Sequence, residues 1–537
     1  MQESFFEYIV LILIILALVM VSRKLRIAYP IVLVIGGLLL SFAAKFTSAA
    51  IEPGLVFFIF LPPLLYEAAW ATSWKEFWKW RRVITSFAFP IVILTACVIA
   101  FASYALIPGF TLALGFLLGG IISPPDAVSA TTILRTTKAP KSMVSIIEGE
   151  SLLNDASSLI VFRFALAAVI TGQFKFQEAA LSFFLVIFMG IAIGLIIGLI
   201  FYCIHRWLPT TTSIEIVLTL VTPYCMYYVA EYFHFSGVLA VVSGGLFLSS
   251  KRQTMLTYRS RLEGVNVWTS LVFVLNGLVF LLIGLQLPSI IDQLGNTSLV
   301  TAVLYGLAVS LILIATRLLC TMGASIWTKW ISRYITVAQA DPGWKNPLIF
   351  GWAGMRGVVS LAAALSIPVM LSNGQAFPFR NLILFITFIV ILVTLVVQGL
   401  TLPWLIRKIH PDDLTSAIPE DRQETIIQMK LAKASLRHLN DKFSGKFPSD
   451  HLNNLHQKLN LDLHYFEHEL KEASNGDGDM LTQFYNIYLE LLEQQRKMLH
   501  DMNALAEFDE DIIRKYMGLT DIEELKVREK LAGRTVS

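Results

Sequence analysis

Apolar stretches of about twenty residues follow one another from the N-terminus to residue 406, separated by short polar or Pro/Gly-containing segments. A helix of that length spans the hydrocarbon core of a bilayer. The pattern predicts thirteen transmembrane helices, at residues 5–22, 27–44, 53–70, 83–106, 110–134, 144–170, 179–204, 213–233, 236–250, 265–287, 298–324, 347–370 and 380–406. The expected fold is therefore an all-α polytopic membrane protein.

Beyond these stretches the chain becomes polar and rich in charge. This tail contains three amphipathic segments, at residues 455–470, 481–499 and 509–530. We expect residues 1–410 to form the membrane domain and residues 411–537 to form a small helical cytosolic domain. The tail either regulates the membrane domain or supports a dimer, or it is a solvated extension without a specific ligand.

Positively charged residues are distributed unevenly between the alternate loops of this arrangement. One set of loops contains eighteen Lys and Arg residues, whereas the other set contains only Lys45, Lys175 and Arg380. Loops rich in Lys and Arg stay on the cytoplasmic side of a membrane. The N-terminus is therefore predicted outside and the C-terminus in the cytoplasm.

The composition agrees with a membrane protein and argues against other classes. The chain of 537 residues is 55% hydrophobic and 15% charged, whereas about 25% of the residues in soluble domains are charged. The net charge is only +3 and no basic tract is interleaved with aromatic residues, so we do not expect nucleic-acid binding. Four cysteines lie in apolar segments without metal-ligand or CxxC spacing, so neither a disulfide framework nor a zinc site is expected. We expect no cofactor.

The order of the spans is compatible with an inverted repeat. If the seventh span is a linker, the six spans before it and the six after it begin on opposite sides of the membrane. The fifth and twelfth spans then correspond. Both carry helix-breaking residues at mid-membrane, namely Gly119, Gly120, Pro124, Pro125, Gly351, Gly354 and Gly357.

Asp126 directly follows two prolines in the middle of the fifth span. Consecutive prolines donate no helix hydrogen bonds, so carbonyls near Gly120 and Ile121 lose their partners. Such backbone is tolerated at membrane depth only where it lines a polar cavity or is buried in protein. A charged side chain at the bilayer centre costs at least about 2.5–3.5 kcal/mol, so packing alone does not account for Asp126. An Asp neutralised by a structural partner is the alternative.

The sixth span carries a row of oxygen-bearing side chains. At helical spacing Ser151 and Asp155 lie one turn apart, and Glu150 and Asn154 form a second stack beside them. Several oxygens suit a hard monovalent cation, and two nearby carboxylates raise each other's proton affinity, so a proton can replace the metal ion. The row predicts a site where cation and protons compete, and hydrogen bonding between helices is the alternative.

Buried cations are expected to balance these buried acids. Arg317 in the eleventh span and Arg356 in the twelfth are the candidates, and a structural ion pair is the favoured role for Arg317. Glu67 lies near the cytoplasmic end of the third span. There it either serves an entry funnel or is simply solvated.

Four strings occur in order along the membrane region: PPDAVSA at 124–130, EGESLLNDASS at 148–158, GWAGMRGVVSLAAAL at 351–365 and VVQGLTLP at 396–403. With these motifs the chain resembles the NhaP-type sodium/proton antiporters of the monovalent cation/proton antiporter-1 family, bacterial relatives of animal sodium/proton exchangers. The resemblance implies a homodimer within the lipid of a bacterial plasma membrane. It also implies a core domain, built around two unwound crossing helices, that moves like an elevator against a scaffold. The crossing helices match the fifth and twelfth spans.

The resemblance further implies roles for individual residues of the ion site. The cation, Na+ in the first instance, is bound by the side chains of Asp126, Ser151 and Asp155 and by the backbone carbonyl of Pro125. Asn154 matches the Asn of an Asn-Asp pair that marks electroneutral one-for-one exchange.

Residues around the site also match the family. Glu150 and Arg317 match a stabilising ion pair between core helices, Arg356 matches a crossover arginine, and Glu67 matches an acidic position near the cytoplasmic funnel. One departure occurs, because many members have Thr-Asp-Pro where this chain has Pro-Asp-Ala at 125–127. The carboxylate is kept and the hydroxyl before it is lost, which leaves the coordination and the cation preference open.

The sequence therefore predicts exchange of Na+, or Li+, for H+, with Asp126 and Asp155 binding the cation or protons in competition. Potassium/proton exchange is the main alternative, because oxygen ligands alone do not discriminate sodium from potassium. A cation channel or sensor is less favoured, since the chain offers one midplane site instead of a continuous pore. An intramembrane enzyme is disfavoured, because no span juxtaposes a Ser nucleophile with a His and no HExxH string occurs.

Overall fold

The computed structural model describes residues 2–25, 27–41, 53–137, 139–172, 176–292, 294, 298–334, 343–371, 374–412, 420–443, 450–472, 478–503 and 510–534. Contacts between residues divide the chain into two compact units, Met1–Thr415 and Ser416–Ser537.

The first unit is built from helices, with one isolated β-bridge between Met370 and Ala376. Its helices are α1 Gln2–Leu25, α2 Tyr29–Ser41, α3 Pro53–Ala71, α4 Trp74–Ser86, α5 Val92–Leu106, α6 Leu112–Ile122, α7 Ala127–Thr136, α8 Lys141–Thr171, α9 Phe176–Trp207, α10 Thr212–Tyr232, α11 Gly237–Met255, α12 Tyr258–Leu285, α13 Leu287–Asp292, α14 Leu299–Ile331, α15 Lys345–Trp352, α16 Val358–Leu365, α17 Arg380–Val393 and α18 Gly399–Ile409. Short π-helical turns at Phe87–Ile91 and Thr394–Gln398 join α4 to α5 and α17 to α18. Within the described ranges, eight helical stretches are long and apolar enough to cross a membrane.

Each predicted span falls on one helix or on consecutive helices, apart from residues 42–44 of the second span, which lie outside the described residues. This confirms the prediction of an all-α polytopic fold. Some helices begin before their apolar stretch because a capping side chain is present. Ser73 caps α4 by accepting the Glu76 N–H at 3.5 Å, and Thr257 caps α12 in the same way. The twelfth span is shorter than predicted, since α16 ends at Leu365. Pro368 explains this end, because the residue before a proline disfavours helical backbone.

The helices of the first unit pack in two groups. One group contains α1 to α3 and α9 to α12, and the other contains α4 to α8 and α14 to α18. Contacts within each group are more extensive than contacts between them. An ion pair crosses the boundary, because Arg163 on α8 donates to Glu231 on α10 at 2.6 Å. Glu231 also accepts the Gly237 N–H at the start of α11, at 3.1 Å.

Within the first group, α2 and α12 approach so closely that their backbones touch. A Cβ atom placed on Gly37 would overlap the Leu281 carbonyl, and one placed on Gly284 would overlap the Val34 carbonyl. Glycine is required at both positions because any side chain there would push the helices apart.

The second unit contains four described helices, α19 Glu420–Phe443, α20 Asp450–Glu472, α21 Gly478–Asn503 and α22 Glu510–Arg534. The three predicted amphipathic segments lie on α20, α21 and α22, apart from residue 509, which lies outside the described residues. The prediction lacks α19, whose few apolar positions are separated by charged ones. Arg496 joins α21 to α22 by donating to Asp521 at 2.8 Å and to Glu524. The guanidinium groups of Arg496 and Arg528 hold the pKa of the Glu524 carboxyl below its ordinary value.

We expect Gly284→Ala to lower the melting temperature of the detergent-solubilised protein, because the added methyl group forces α2 and α12 apart. Such overpacking costs about 1–3 kcal/mol. Gly323→Ala on α14 is the matched control, since no atom lies within 4 Å of a Cβ atom placed there. The control is expected to melt at the same or a higher temperature, because Ala favours helix over Gly by about 1 kcal/mol. Equal melting temperatures for the two variants would contradict the close approach.

Candidate ion-binding site

The site lies where two interrupted helices meet. The backbone leaves helical geometry between α6 and α7, at residues 123–126, and between α15 and α16, at residues 353–357. The Asp126 N–H, which has no helical acceptor at this break, donates to the Met355 carbonyl at 2.7 Å. The predicted interruptions of the fifth and twelfth spans therefore occur, and they contact each other.

Arg356 fills the crossing with its side chain, which is only 1% exposed. Its Nε donates to the Ile122 carbonyl at 2.8 Å and its Nη2 to the Ser123 carbonyl at 3.0 Å. A third guanidinium bond reaches the Gly354 carbonyl. The last carbonyls of a helix carry partial negative charge and need donors. Arg356 supplies both the donors and a positive charge at the end of α6.

Asp126 forms the N-cap of α7. Its Oδ1 accepts the Val128 N–H at 3.2 Å and its Oδ2 accepts the Ser129 hydroxyl proton at 3.1 Å. The carboxylate lies against the backbone of Gly357, where a side chain of any size would overlap it. This places the carboxylate beside the second interruption.

Residues of α8 face the same crossing. Asn154 donates from its Nδ2 to the Pro125 carbonyl at 3.0 Å, and the Ser151 hydroxyl accepts the Ala127 N–H at 3.3 Å. Asp155 is 5% exposed and close enough to Asp126 for the two carboxylates to repel each other. Among the described residues, none donates a hydrogen bond to the Asp155 carboxylate. The structure therefore brings together all five residues predicted for the ion site.

Glu150 and Arg317 form a bidentate ion pair between α8 and α14. The two N–O distances are 2.9 and 3.0 Å, and the side chains are 1% and 3% exposed. Arg317 also donates to the Phe350 carbonyl of α15 at 3.4 Å, and its side chain lies against Gly354. The pair thus ties α8 to the second interruption. Loss of one partner of such a pair leaves a buried charge, at a cost of about 3–5 kcal/mol.

Glu67 lies apart from these residues, on α3. It lines a cavity of about 180 Å³ together with Glu215, Arg252 and Arg261. The cavity is lined by α3, by α10 to α12 and by the turn between α11 and α12, and no lining residue belongs to α6, α7 or α8. Glu67 therefore borders a polar cavity in the first group of helices. It is also close enough to the Arg135–Glu148 ion pair between α7 and α8 to interact with it electrostatically.

Two side chains that were not predicted from the sequence, Ser129 and Thr394, also shape the crossing. Ser129 donates to the Asp126 carboxylate, and the Thr394 hydroxyl of the π-helical turn accepts the Arg356 N–H at 3.2 Å. Ser129 could have been identified, because it occupies the third position after an N-cap Asp. No local pattern indicates Thr394, since its partner lies 38 residues away.

Known proteins resemble this chain in sequence and in fold. A family model described as "Sodium/hydrogen exchanger, transmembrane" matches residues 9–408. An antiporter of Bacillus pumilus, named for sodium, potassium, lithium and rubidium/H(+), is 31% identical over 455 residues, which cover 81% of this chain and 66% of the relative. The uncharacterised Na(+)/H(+) exchanger YjcE of Escherichia coli is 29% identical over 550 residues, which cover 97% of this chain and 98% of the relative.

A solved structure shares the fold. The sodium proton antiporter MjNhaP1 from Methanocaldococcus jannaschii matches with a TM-score of 0.58 and 18% identity, covering 76% of this chain and 100% of that one. The likeness supports a multi-pass helical membrane protein. The family match, the relatives and the shared fold together show that this chain belongs to the sodium/hydrogen exchanger family, as an NhaP-type antiporter of the monovalent cation/proton antiporter-1 group.

Proposed function

We propose that the protein exchanges Na+, or Li+, for H+ across the membrane, and that Asp126 and Asp155 bind the cation or protons in competition. The observation that carries this proposal is the distribution of buried charge. Arg317 is committed to Glu150, and Arg356 is committed to three backbone carbonyls. Among the residues that the structure describes, no Lys or Arg pairs with the carboxylates of Asp126 or Asp155, which leaves them available to bind a metal ion or protons.

Further oxygen ligands are available around the two carboxylates. The Pro125 carbonyl has a second lone pair besides the one that accepts from Asn154. The Ser151 hydroxyl likewise keeps a lone pair when it accepts from Ala127. Together with the carboxylates of Asp126 and Asp155, they make four oxygen-bearing groups, and oxygen ligands suit a hard cation such as Na+. In this proposal Asn154 holds the Pro125 carbonyl in place and adds no charge.

The charge balance favours electroneutral exchange. With one Na+ bound, the pair of carboxylates carries one net negative charge, and with one proton bound it carries the same charge. One-for-one exchange then moves equal charge in both directions. The empty site carries two negative charges, and the desolvation of these charges opposes its movement and suppresses leak.

The two groups of helices suggest how the site moves. We propose that the second group, which contains α6 to α8 and α14 to α16, is the moving core and that the first group is the scaffold. The core carries the site past the scaffold in an elevator motion. We further propose a homodimer in a bacterial cell membrane, with the N-terminus outside, the tail in the cytoplasm and Glu67 in the cytoplasmic funnel.

Potassium/proton exchange is the second candidate. The relatives from Bacillus pumilus and Bacillus subtilis are both named for potassium and rubidium besides sodium and lithium. The same site and the same motion would serve these cations. Saturable flux that is obligatorily coupled to protons separates either exchanger from a channel.

We expect Asp126→Asn and Asp155→Asn each to abolish exchange, because either amide removes a titratable ligand from the site. The measurement is dissipation of a proton gradient in proteoliposomes or inside-out vesicles, titrated with Na+, Li+ and K+ at several pH values. Glu263→Gln is the control, since Glu263 is exposed and pairs with Arg259 on the same helix. Sodium-dependent proton movement at the wild-type rate in either Asp variant would refute the site.

We expect a covalent link between positions 163 and 231 to stop exchange, because it fixes the proposed core to the scaffold. Arg163→Cys and Glu231→Cys are combined after replacement of the four native cysteines, and a short bis-methanethiosulfonate reagent is added before exchange is measured. Arg135→Cys with Glu148→Cys is the matched control, because this ion pair of 2.7 Å joins α7 to α8 within the core. Continued exchange by the fully linked 163–231 protein would rule out the elevator motion.

A further inference from the structure

We propose that Ser129 sets the cation preference of the site, and that its hydrogen bond to Asp126 allows K+ and Rb+ to compete with Na+ and Li+. This inference rests on the proposed exchange function and extends it to the choice of cation. It concerns a side chain that binds no cation itself in the proposal. Ser129 is therefore a positioning residue, which acts through the Asp126 carboxylate.

The Asp126 carboxylate is held on three sides. Ser129 donates to Oδ2 at 3.1 Å, the Val128 N–H donates to Oδ1 at 3.2 Å, and the Gly357 backbone blocks a third direction. The Ser129 side chain is 1% exposed, so bulk water does not compete for its hydroxyl. Both carboxylate oxygens thus accept hydrogen bonds from the protein before any ion binds. The orientation of the carboxylate toward α8 is fixed by these contacts.

The chain has Pro-Asp-Ala at residues 125–127 where many family members have Thr-Asp-Pro, and this difference changes which hydrogen-bond donors lie beside the site. A proline after the Asp, as in Thr-Asp-Pro, has no N–H. In this chain Ala127 occupies that position, and its N–H donates to the Ser151 hydroxyl at 3.3 Å. Residue 125 is a proline and supplies no hydroxyl, whereas Ser129 supplies one from the next turn. Two of the proposed ligands therefore accept hydrogen bonds from these positions. Ser151 accepts from the Ala127 N–H, and Asp126 accepts from the Ser129 hydroxyl.

These donors weaken the negative potential that a cation meets. A donated hydrogen bond places a positive dipole beside the carboxylate and offsets part of its charge. Small cations such as Li+ and Na+ hold their water strongly and need a strong field to shed it, whereas K+ and Rb+ shed water more readily. The field strength of the coordinating oxygens is therefore one determinant of selectivity among monovalent cations. A weakened carboxylate shifts the balance toward the larger ions.

The experiment compares apparent affinities for four cations. Proton-coupled exchange of the full-length protein is measured in proteoliposomes with Na+, Li+, K+ and Rb+, and the half-saturating concentrations are compared. Loss of a hydrogen bond to a charged group changes an equilibrium constant by about tenfold or more. Part of this change affects all four ions equally and cancels when two ions are compared. We therefore expect Ser129→Ala to raise the half-saturating concentration of K+ relative to that of Na+ at least about threefold.

Matched variants distinguish the effect of the Ser129 hydroxyl from a general effect on helix α7. Ser129→Thr keeps the donor and is expected to keep the wild-type ratio, and Ser129→Cys weakens the donor and is expected to give an intermediate ratio. Thr132→Val is the control, because it removes a hydroxyl that donates only to the Val128 carbonyl on the same helix, at 2.7 Å. The control is expected to leave the ratio unchanged.

An unchanged ratio in Ser129→Ala, or the same shift in Thr132→Val, would overturn the inference. If Ser129→Ala does not turn over, cation-dependent thermal stabilisation of the purified variant gives the same ratio without transport. If it does not fold, Ser129→Cys decides the question. Failure of the proposed function is recognised separately, because in that case the wild-type protein moves no protons with any of the four cations.

Discussion

The contact between Arg356 and the end of α6 holds the rest of the site in place. Two consecutive prolines prevent α6 from continuing, and a helix end at membrane depth needs donors that lipid does not provide. The guanidinium group donates to the Ile122 and Ser123 carbonyls from the second interrupted helix, and the Asp126 N–H returns a bond to Met355. Each interrupted helix thereby supplies hydrogen-bond partners for free backbone groups of the other. These mutual hydrogen bonds fix the position of both interruptions, and with them the position of Asp126.

The same constraint explains why two acids remain available. A buried positive charge that is committed to carbonyls or to Glu150 does not neutralise Asp126 or Asp155. In the proposed mechanism, a metal ion or protons that enter the site relieve the repulsion between these two carboxylates. In the proposed cycle, this requirement for a bound cation or proton couples the movement of the two substrates. Glu150 of the structural ion pair and Asp155 lie on the same helix, α8, whereas Asp126 forms the N-cap of α7. Glu150 is neutralised by Arg317, whereas the proposed role of Asp126 and Asp155 requires that both stay available to an ion.

Much of this arrangement is predictable from local sequence. The apolar stretches predict the helices, and the prolines and glycines at 119–125 and 351–357 predict both interruptions. Helical spacing on α8 predicts that Ser151, Asn154 and Asp155 are close together. The contacts between elements are less accessible, because they depend on how helices rotate and pack. The bond from Asn154 to Pro125 and the cavity that joins Glu67 to Glu215 and Arg252 have no local signal. Ser129 is partly predictable. Its position in the first turn after an N-cap Asp can be read from the local sequence, but its proposed effect on the ion site cannot.

The most direct measurement of competition is the release of protons when the purified protein binds sodium. The full-length protein is placed in weakly buffered detergent solution at a series of pH values, NaCl is added to saturation, and a pH indicator reports released protons. Because the cation and protons share Asp126 and Asp155 in the proposed mechanism, we predict release of about one proton per chain at pH values where the site is protonated. Sodium binding detected by thermal stabilisation at those pH values, without any proton release, would contradict the account.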